Sequence, residues 1–380
     1  MNTNPLIGLE AFGQSIWLDF LSRKALDNGD IKNLIDQDGV SGLTSNPSIF
    51  EKAIAGSPDY DDAIQVMARE GKSIEKIYEA LTIEDIQRAA DLFRPTYDRL
   101  DGADGFVSLE VSPKLAHDTN GTIAEARHLW AAVNRPNVMI KVPGTREGIP
   151  AIQQLIGEGI NINITLLFGL PRYREVVDAY LTGLETLAAH GQPLNRIASV
   201  ASFFLSRIDV LIDPMLEKLR LADGAVADIV AGLHGKSAIS SAKIAYQIYQ
   251  ESFGAARFQK LARAGAHTQR LLWASTSTKN PDYSDVMYVE ALIGRETIDT
   301  VPLETVAAYR DHGNPAARLE DGIQEAYRVL EGLRQAGLDL DALTQQLEDE
   351  GVAKFNQAFD QLTTALRDKR NATVQKSVTS

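Results

Sequence analysis

Cysteine is absent from this sequence of 380 residues. Its absence excludes a disulfide framework, metal sites built on thiolates and catalysis by a thiol, and it fits a reducing compartment. Long apolar runs are absent too, since no stretch approaches the ~20 residues that a membrane-spanning helix needs. The first five residues, Met1 to Pro5, have neither the basic nor the apolar region of a signal peptide. We therefore expect a cytoplasmic protein with no membrane partner.

Basic residues are in the minority, with 38 Lys and Arg against 51 Asp and Glu and a net charge of -13. This balance argues against nucleic acid as a partner, although it permits a local basic pocket for one phosphate group. The histidines are dispersed, and none occurs in a His-Glu-x-x-His or similar spacing. A Gly-x-Ser-x-Gly elbow is also missing. We expect neither a metal nor a cofactor.

Eight short apolar segments alternate with stretches of helical pattern. The predicted strands cover residues 15–20, 39–47, 105–113, 138–142, 161–168, 196–204, 270–275 and 296–302. Because no hairpin signal recurs between them, the pattern indicates a parallel sheet, and eight strands are the number that closes a (β/α)8 TIM barrel. A doubly wound open sheet is disfavoured, because no Gly-x-Gly-x-x-Gly opens a helix after a strand.

Two helical additions accompany this α/β barrel. Residues 48–100 are predicted as a helical insertion after the second strand, with Ser73 as a helix cap and Pro95 as a late break. Residues 303–370 keep a helical pattern and are expected to pack outside the barrel or over one end. Residues 371–380 are polar and are predicted to be a frayed tail. The whole chain is thus predicted to be a single barrel domain.

One cation lies inside a predicted buried strand. Lys141 interrupts the apolar run Val138–Val142, which Pro143 and Gly144 close. A buried lysine is costly unless it is paired or loses its proton, and a lysine in apolar surroundings loses it more readily. Lys141 is therefore a candidate amine nucleophile. A salt bridge to a buried carboxylate is the alternative, and this stretch alone does not decide between them.

Polar residues recur toward the C-terminal ends of the other predicted strands. They are Asp19, Thr44, Asn46, Glu110, Asn163, Thr165, Ser202 and Ser275. In a barrel these ends converge on one mouth, where catalytic side chains are found. Each residue has a structural alternative: Asp19 could cap a helix, Asn46 could form an Asx-turn, and Glu110 could pair with the lysine. Their coincidence favours a common site.

The chemistry that fits this set is Schiff-base catalysis. A neutral lysine attacks a ketone, and the protonated imine then accepts the electrons of a neighbouring carbon–carbon bond. Carboxylates must move protons in such a reaction, and Asp19 and Glu110 are the right type in the right place. The neutral candidates for holding or orienting substrate hydroxyls are Asn46, Asn163, Thr44 and Thr165.

A phosphate-bearing substrate would need cationic donors at the same mouth. The segments 202–207 and 275–279 each combine serine hydroxyls with one cation directly after a predicted strand. We predict that Arg207 and Lys279 bind an anion there. Solvated surface charge is the alternative for both.

The chain resembles the transaldolase family from about Ser15 to Pro302. The matching motifs are LTSNPS at 43–48, VSLEV at 107–111, MIKVP at 139–143 with TREG at 145–148, and NINITLLF at 161–168. The resemblance implies a barrel of the class I aldolase type with its Schiff-base lysine on the fourth strand. It also implies transfer of a dihydroxyacetone unit from sedoheptulose 7-phosphate to glyceraldehyde 3-phosphate, giving erythrose 4-phosphate and fructose 6-phosphate in the pentose phosphate pathway. The long insertion suggests one of the longer bacterial subtypes.

Residue by residue, the resemblance implies that Lys141 forms the imine, Asp19 is the acid/base at the cleaved bond, and Glu110 works through a water. The substrate-binding residues that it implies are Thr44, Asn46, Asn163, Thr165, Ser202, Phe204 and Arg207. The second phosphate cation departs from the family pattern. Many relatives have arginine closely after a serine, whereas this chain reads Ser275-Thr-Ser-Thr-Lys279. Lys279 is our choice, and nothing specific favours Ser275 over Ser277.

Two other functions stay open at this point. A lyase acting on fructose 6-phosphate would let water complete a turnover that otherwise waits for an acceptor aldehyde, and the sequence does not decide between these fates. A non-catalytic barrel used for binding would keep Lys141 ion-paired and inert. Oligomeric state, acceptor preference and partner proteins are not predicted.

Overall fold

The computed structural model describes residues 4–221 and 225–378. Within these ranges, eight parallel strands close into a barrel in chain order, with the first strand pairing with the last. The strands are β1 (Gln14–Leu18), β2 (Val40–Leu43), β3 (Val107–Glu110), β4 (Val138–Pro143), β5 (Ile162–Leu167), β6 (Ser199–Phe204), β7 (Arg270–Ala274) and β8 (Thr297–Val301). The predicted (β/α)8 barrel is confirmed.

Helices follow the strands and cover the outside of the barrel. They are α1 (Arg23–Asp27), α2 (Asp30–Asp38), α3 (Pro47–Ala55), α4 (Asp61–Arg69), α5 (Ile74–Arg99), α6 (Thr119–Val133), α7 (Gly148–Gly157), α8 (Leu170–Ala189), α9 (Ser206–Arg220), α10 (Ala225–Val230), α11 (Ser237–Gly254), α12 (Ala256–Ala262), α13 (Met287–Ala291), α14 (Leu303–His312), α15 (Ile323–Gln335) and α16 (Leu340–Val378). None of these helices is long and apolar enough to cross a membrane, over the residues that the structure describes.

The barrel strands are buried because helices cover their outer faces and side chains fill the interior. Every residue of β3, β4, β5, β6 and β8 is buried. Trp17 on β1 is fully buried and donates its indole N–H to Asp104 over 2.8 Å. Gly42 on the neighbouring strand is required there, because an added Cβ would lie 2.5 Å from the Trp17 ring. Trp17 and Gly42 are thus packed closely against each other inside the barrel.

The insertion after β2 is helical, as predicted, and consists of α3, α4 and α5. Ser73 caps α5, since its hydroxyl accepts the Lys76 amide proton over 3.3 Å. The predicted break at Pro95 is wrong, because α5 continues to Arg99. Buried Phe93 and Tyr97 on either side of the proline hold this last turn against the barrel.

The last helix, α16, reaches the mouth of the barrel. It contacts α3 and the end of β5, so this part of the C-terminal extension lies over one end of the barrel. The predicted frayed tail covers residues 371–380, of which 371–378 are helical as the end of α16, and 379–380 lie outside the described residues. After Gly351 the sequence contains neither glycine nor proline, so nothing in it ends the helix where the apolar pattern fades. Just before this segment, Lys369 donates to the Ser57 carbonyl over 2.7 Å.

Candidate active site

A cavity of about 680 Å³ opens at the C-terminal end of the barrel. Nine of the twelve residues predicted from the sequence line it: Asp19, Thr44, Asn46, Lys141, Ser202, Phe204, Arg207, Ser275 and Lys279. The other three, Glu110, Asn163 and Thr165, are buried in the neighbouring strands and do not line the cavity. The closed parallel barrel brings all twelve residues to one end of the molecule, because all its strands end at the same face.

Lys141 lies inside the barrel, on β4, with its side chain only 5% exposed. The strand register places it between Glu110 of β3 and Asn163 of β5. Its Nζ donates to the Ser45 carbonyl over 3.2 Å and lies 3.6 Å from Oε2 of Glu110. At that distance the pair attracts electrostatically but makes no good hydrogen bond. Lys141 is therefore only weakly paired with the Glu110 carboxylate, and Lys141 also faces the cavity.

Glu110 is the carboxylate of this pair. Burial raises the pKa of Glu110 to about 7, although the positive charge of Lys141 opposes the rise. Its Oε2 has no hydrogen-bond partner in residues 4–221 and 225–378. A carboxyl group that titrates near neutrality can both accept and return a proton under ordinary conditions. This is the behaviour that proton transfer beside Lys141 requires.

Asp19 follows β1 and faces the same cavity. Its Oδ1 accepts the Thr44 hydroxyl proton over 2.8 Å, and the Thr44 hydroxyl also lies 2.7 Å from that of Thr300 on β8. Burial is the largest influence on the Asp19 pKa and raises it, whereas the charge of Lys141 and the bond from Thr44 lower it. The helix-cap interpretation of Asp19 is wrong, because Ser22 caps α1.

The predicted hydroxyl-binding residues differ in their surroundings. Asn46 caps α3, since its side-chain oxygen accepts the amide proton of Ile49, three residues on, over 3.0 Å. An Asx-turn would use the amide two residues on, so the residue is a helix cap in place of the predicted Asx-turn, and it still lines the cavity. Asn163 donates to the Ser108 hydroxyl over 2.9 Å and accepts the Ser202 hydroxyl over 2.7 Å. One polar chain therefore runs along the strand ends beside Lys141.

Thr165 differs from these residues. Its hydroxyl is buried and has no hydrogen-bond partner within the described part of the chain. The next residue, Leu166, has a left-handed backbone with φ 59°, at a point where the register between β5 and β6 shifts. Such irregularities re-aim side chains at the end of a strand.

Arg207 stands in the first turn of α9, at the rim of the cavity. Its guanidinium lies over the Phe204 ring at 5.6 Å, and its buried Nη1 has no hydrogen-bond partner among the residues described. Burial lowers the pKa of Arg207, with Glu350 and Asp19 opposing the shift from a distance. A partly buried cation without a close carboxylate is costly unless an anion joins it. This environment fits an anion better than it fits solvated surface charge.

Lys279 approaches the cavity from the loop after β7. Its Nζ contacts the Ser277 hydroxyl, and Ser277 and Ser275 both line the cavity. Ser275 has a left-handed backbone with φ 57°, and its hydroxyl lies 2.9 Å from that of Ser206. Both serines thus meet the cavity, and the geometry does not choose between them.

Several lining residues escaped the sequence analysis. Thr300 near the end of β8 carries the same signal as the other polar residues at strand ends, and that rule applied to the last strand would have found it. Lys24 and Lys52 lie on α1 and on α3, outside any strand-end motif. Phe355 comes from α16, and no sequence signal shows which face of that helix covers the mouth. Within residues 4–221 and 225–378, no three His, Asp or Glu residues are grouped to hold a metal ion.

The fold and the cavity together define an α/β-barrel enzyme of the aldolase type, with a buried lysine among carboxyl groups at the C-terminal mouth. A family model described as transaldolase/fructose-6-phosphate aldolase matches residues 16–366, and the chain belongs to this family.

Relatives agree over nearly the full length. A "Transaldolase 2" of Nostoc punctiforme is 48% identical over 374 residues, covering 97% of this chain and 98% of the relative. A "Transaldolase" of Thiobacillus denitrificans is 49% identical over 350 residues, covering 92% and 96%. A "Transaldolase" of Saccharopolyspora erythraea is 46% identical over 371 residues, covering 97% and 99%. The predictions of the family and of a transferase of the transaldolase type are confirmed.

Proposed function

We propose that the enzyme transfers a dihydroxyacetone unit from sedoheptulose 7-phosphate to glyceraldehyde 3-phosphate through a Schiff base at Lys141. The observation that carries the proposal is the pairing of a buried lysine with a carboxyl group of near-neutral pKa, Glu110, below the cavity. Because the pKa of Glu110 lies near neutrality, this carboxyl group can take up and return protons directly beside the amine that is proposed to attack the carbonyl group.

The first step joins the donor to the enzyme. The Lys141 nitrogen attacks the ketone carbon of the donor, and a carbon–nitrogen bond forms while the carbonyl oxygen takes up a proton. A second proton on that oxygen allows it to leave as water, and a protonated imine remains. Glu110 is the group proposed to deliver and recover these protons by way of a water molecule.

Cleavage follows from the imine. Asp19 removes the proton of the hydroxyl group on the carbon beyond the bond to be broken, and that carbon becomes the aldehyde of erythrose 4-phosphate. The electron pair of the broken carbon–carbon bond moves toward the imine nitrogen, so an enamine stays on Lys141. The partial exposure of Asp19 at the cavity and its bond from Thr44 support this role.

Transfer reverses these steps on a different aldehyde. The enamine carbon attacks the aldehyde of glyceraldehyde 3-phosphate, and Asp19 returns its proton to the new alkoxide. Water then hydrolyses the imine, which releases fructose 6-phosphate and restores the free lysine. The atoms balance over the cycle, because the water lost in the first step is regained in the last.

The remaining predicted residues are proposed to hold the sugar. Asn46, Asn163 and Ser202 offer amide and hydroxyl groups without adding charge, and Thr165 offers a buried hydroxyl without a partner in the described chain. Arg207 and Lys279 are proposed to bind the phosphate group at the far end of the substrate. Action in the cytoplasm and in the pentose phosphate pathway stay predictions.

Borohydride trapping tests this proposal. Reduction in the presence of fructose 6-phosphate should add the mass of the reduced dihydroxyacetone adduct to the peptide that contains Lys141, and Lys141→Arg should abolish both the adduct and turnover, because arginine cannot form the imine. Lys52→Arg is the matched control, since it replaces another lysine of the same cavity and should leave trapping intact. An adduct that persists in Lys141→Arg would mean that a different lysine is the nucleophile.

The same assay separates transfer from lyase activity. With fructose 6-phosphate alone, a transferase should stall with its enamine on the enzyme, and addition of erythrose 4-phosphate should start turnover. Continuous release of dihydroxyacetone without an acceptor would instead favour the lyase.

A further inference from the structure

The two cations proposed to bind phosphate lie on separate elements. Arg207 stands in the first turn of α9, and Lys279 lies on the loop 275–286 that joins β7 to α13. Two contacts join the two elements at the start of the loop: the Ser206 and Ser275 hydroxyls lie 2.9 Å apart, and the Ser206 amide donates to the Ser275 carbonyl over 3.1 Å. Lys279 is four residues further along and exposed, so these contacts do not fix its position.

The loop contacts α9 a second time beyond Lys279, at Tyr283. The Tyr283 hydroxyl donates to Oδ2 of Asp213 on α9 over 2.8 Å. Oδ1 of the same carboxylate accepts the Gly235 amide proton over 3.0 Å. Gly235 also makes room for the ring, because a Cβ at this position would lie 2.8 Å from Tyr283. Tyr283 is therefore held by a hydrogen bond to α9 and by close packing against the turn before α11.

The loop is fixed once more where α13 begins. The buried Tyr288 hydroxyl donates to Oδ2 of buried Asp209 over 2.8 Å, and Oδ1 of Asp209 accepts the Ala238 amide proton over 2.9 Å. Asp209 and Asp213 thus belong to the helix whose first turn carries Arg207. The loop with Lys279 is tied to this one helix on both sides of the lysine.

We propose that Tyr283 is a positioning residue that holds the Lys279 loop against α9, so that Lys279 and Arg207 meet the same phosphate group. This inference rests on the phosphate-binding role proposed above for these two cations. A loop without these contacts would lose conformational entropy each time substrate binds, and that loss would weaken substrate binding. The hydrogen bond from Tyr283 to Asp213 reduces this entropic cost, because it orders the loop at the phosphate site before substrate binds.

Tyr283→Phe tests the proposal, because it removes the hydroxyl group and keeps the ring packed against Gly235. With erythrose 4-phosphate saturating, we expect KM for fructose 6-phosphate to rise by about 3–10-fold, as for the loss of one hydrogen bond, with kcat nearly unchanged. The kcat/KM for unphosphorylated fructose should not change, since that donor makes no phosphate contact. Asp213→Ala removes the acceptor instead and should show the same selectivity.

Tyr249→Phe is the matched control. It also loses one hydroxyl bond, of 3.0 Å to Thr268, but beside the N-terminal end of β7. It should affect the two donors equally or not at all. A double-mutant cycle adds the decisive readout: in the Lys279→Ala background, Tyr283→Phe should have no further effect on fructose 6-phosphate, because the loop no longer carries a cation to position.

The outcomes separate this inference from the function it rests on. If Lys279→Ala weakens only the phosphorylated donor while Tyr283→Phe adds its own loss in that background, the positioning role is overturned and the phosphate site stands. An equal loss on both donors in Tyr283→Phe also overturns it, since that is the result of general destabilisation. If Lys279→Ala itself does not discriminate between the donors, both the assignment of Lys279 and the positioning role fail.

Discussion

Single buried ionisable groups decide much of the behaviour of this protein at the residue scale, and Asp299 is a case outside the catalytic mouth. It lies on β8 with 0% exposure, and neither carboxylate oxygen has a hydrogen-bond partner in the described ranges. The nearby Thr276 hydroxyl donates to the Thr300 carbonyl over 2.9 Å. Burial raises the pKa of Asp299 to about 8. Burial thus favours the protonated form of Asp299 at neutral pH.

Asp299→Asn should make the protein more resistant to alkaline pH. The pKa of Asp299 in the fold is about 8, whereas an unfolded aspartate titrates near ~4. The stability contributed by proton binding is therefore fully present below pH ~4 and is lost as pH rises to about 8. Asparagine never ionises, so the variant should lose less stability than the parent protein between pH 6 and pH 9. Thermal unfolding at one-unit pH steps measures this, and parallel curves for the two proteins would contradict it.

The residues of the mouth show what a sequence reveals at this scale. Lys141, Asp19 and Glu110 could be picked out because charges interrupt short apolar strands, and that conflict is visible without coordinates. Their contacts could not be predicted, since the 3.6 Å separation of Lys141 and Glu110 depends on the register between β3 and β4. Asn46 both caps α3 and lines the cavity, and the sequence alone did not show that one residue does both.

At the scale of elements, the last helix matters most for the mouth. Gly351 lies inside α16, where glycine is about 1 kcal/mol less favourable than alanine. Close approach explains its presence, because a Cβ there would lie 2.9 Å from Leu166 and 3.7 Å from Nη1 of Arg207. The sequence predicted this helix but neither its full length nor the face that covers the barrel. Both depend on contacts with residues far away in the chain.

Gly351→Val should push α16 away from the mouth. The branched side chain must displace Leu166, which we expect to cost about 1–3 kcal/mol of unfolding free energy, as in other overpacked sites. The shift should also disturb Arg207 and raise KM for fructose 6-phosphate. Gly254→Val is the matched control, because Gly254 ends α11 with open space where its Cβ would lie. Equal melting temperatures and kinetics for both variants would show that α16 adapts without moving.

At the scale of the whole molecule, the barrel was predictable because eight strand–helix alternations leave few topologies open. The net charge of -13 sets a second global condition. The electrostatic potential of such a molecule repels a phosphorylated sugar on average, so a few cations must make the potential positive locally at the mouth. Arg207, with a buried nitrogen that lacks a partner among the described residues, is the strongest candidate.

Arg207→Ala should therefore weaken phosphorylated donors selectively. Loss of one or two charge-assisted hydrogen bonds is worth on the order of 2–4 kcal/mol, so kcat/KM for fructose 6-phosphate should fall by about 30–900-fold while that for free fructose stays nearly constant. Lys279→Ala should show the same selectivity with a smaller loss, because an ammonium acts as a point charge and not as a fork. Arg207→Lys should recover part of the loss, since it restores the charge without the paired geometry. Equal losses on both donors in Arg207→Ala would instead make Arg207 a structural support of the mouth and move the phosphate site elsewhere.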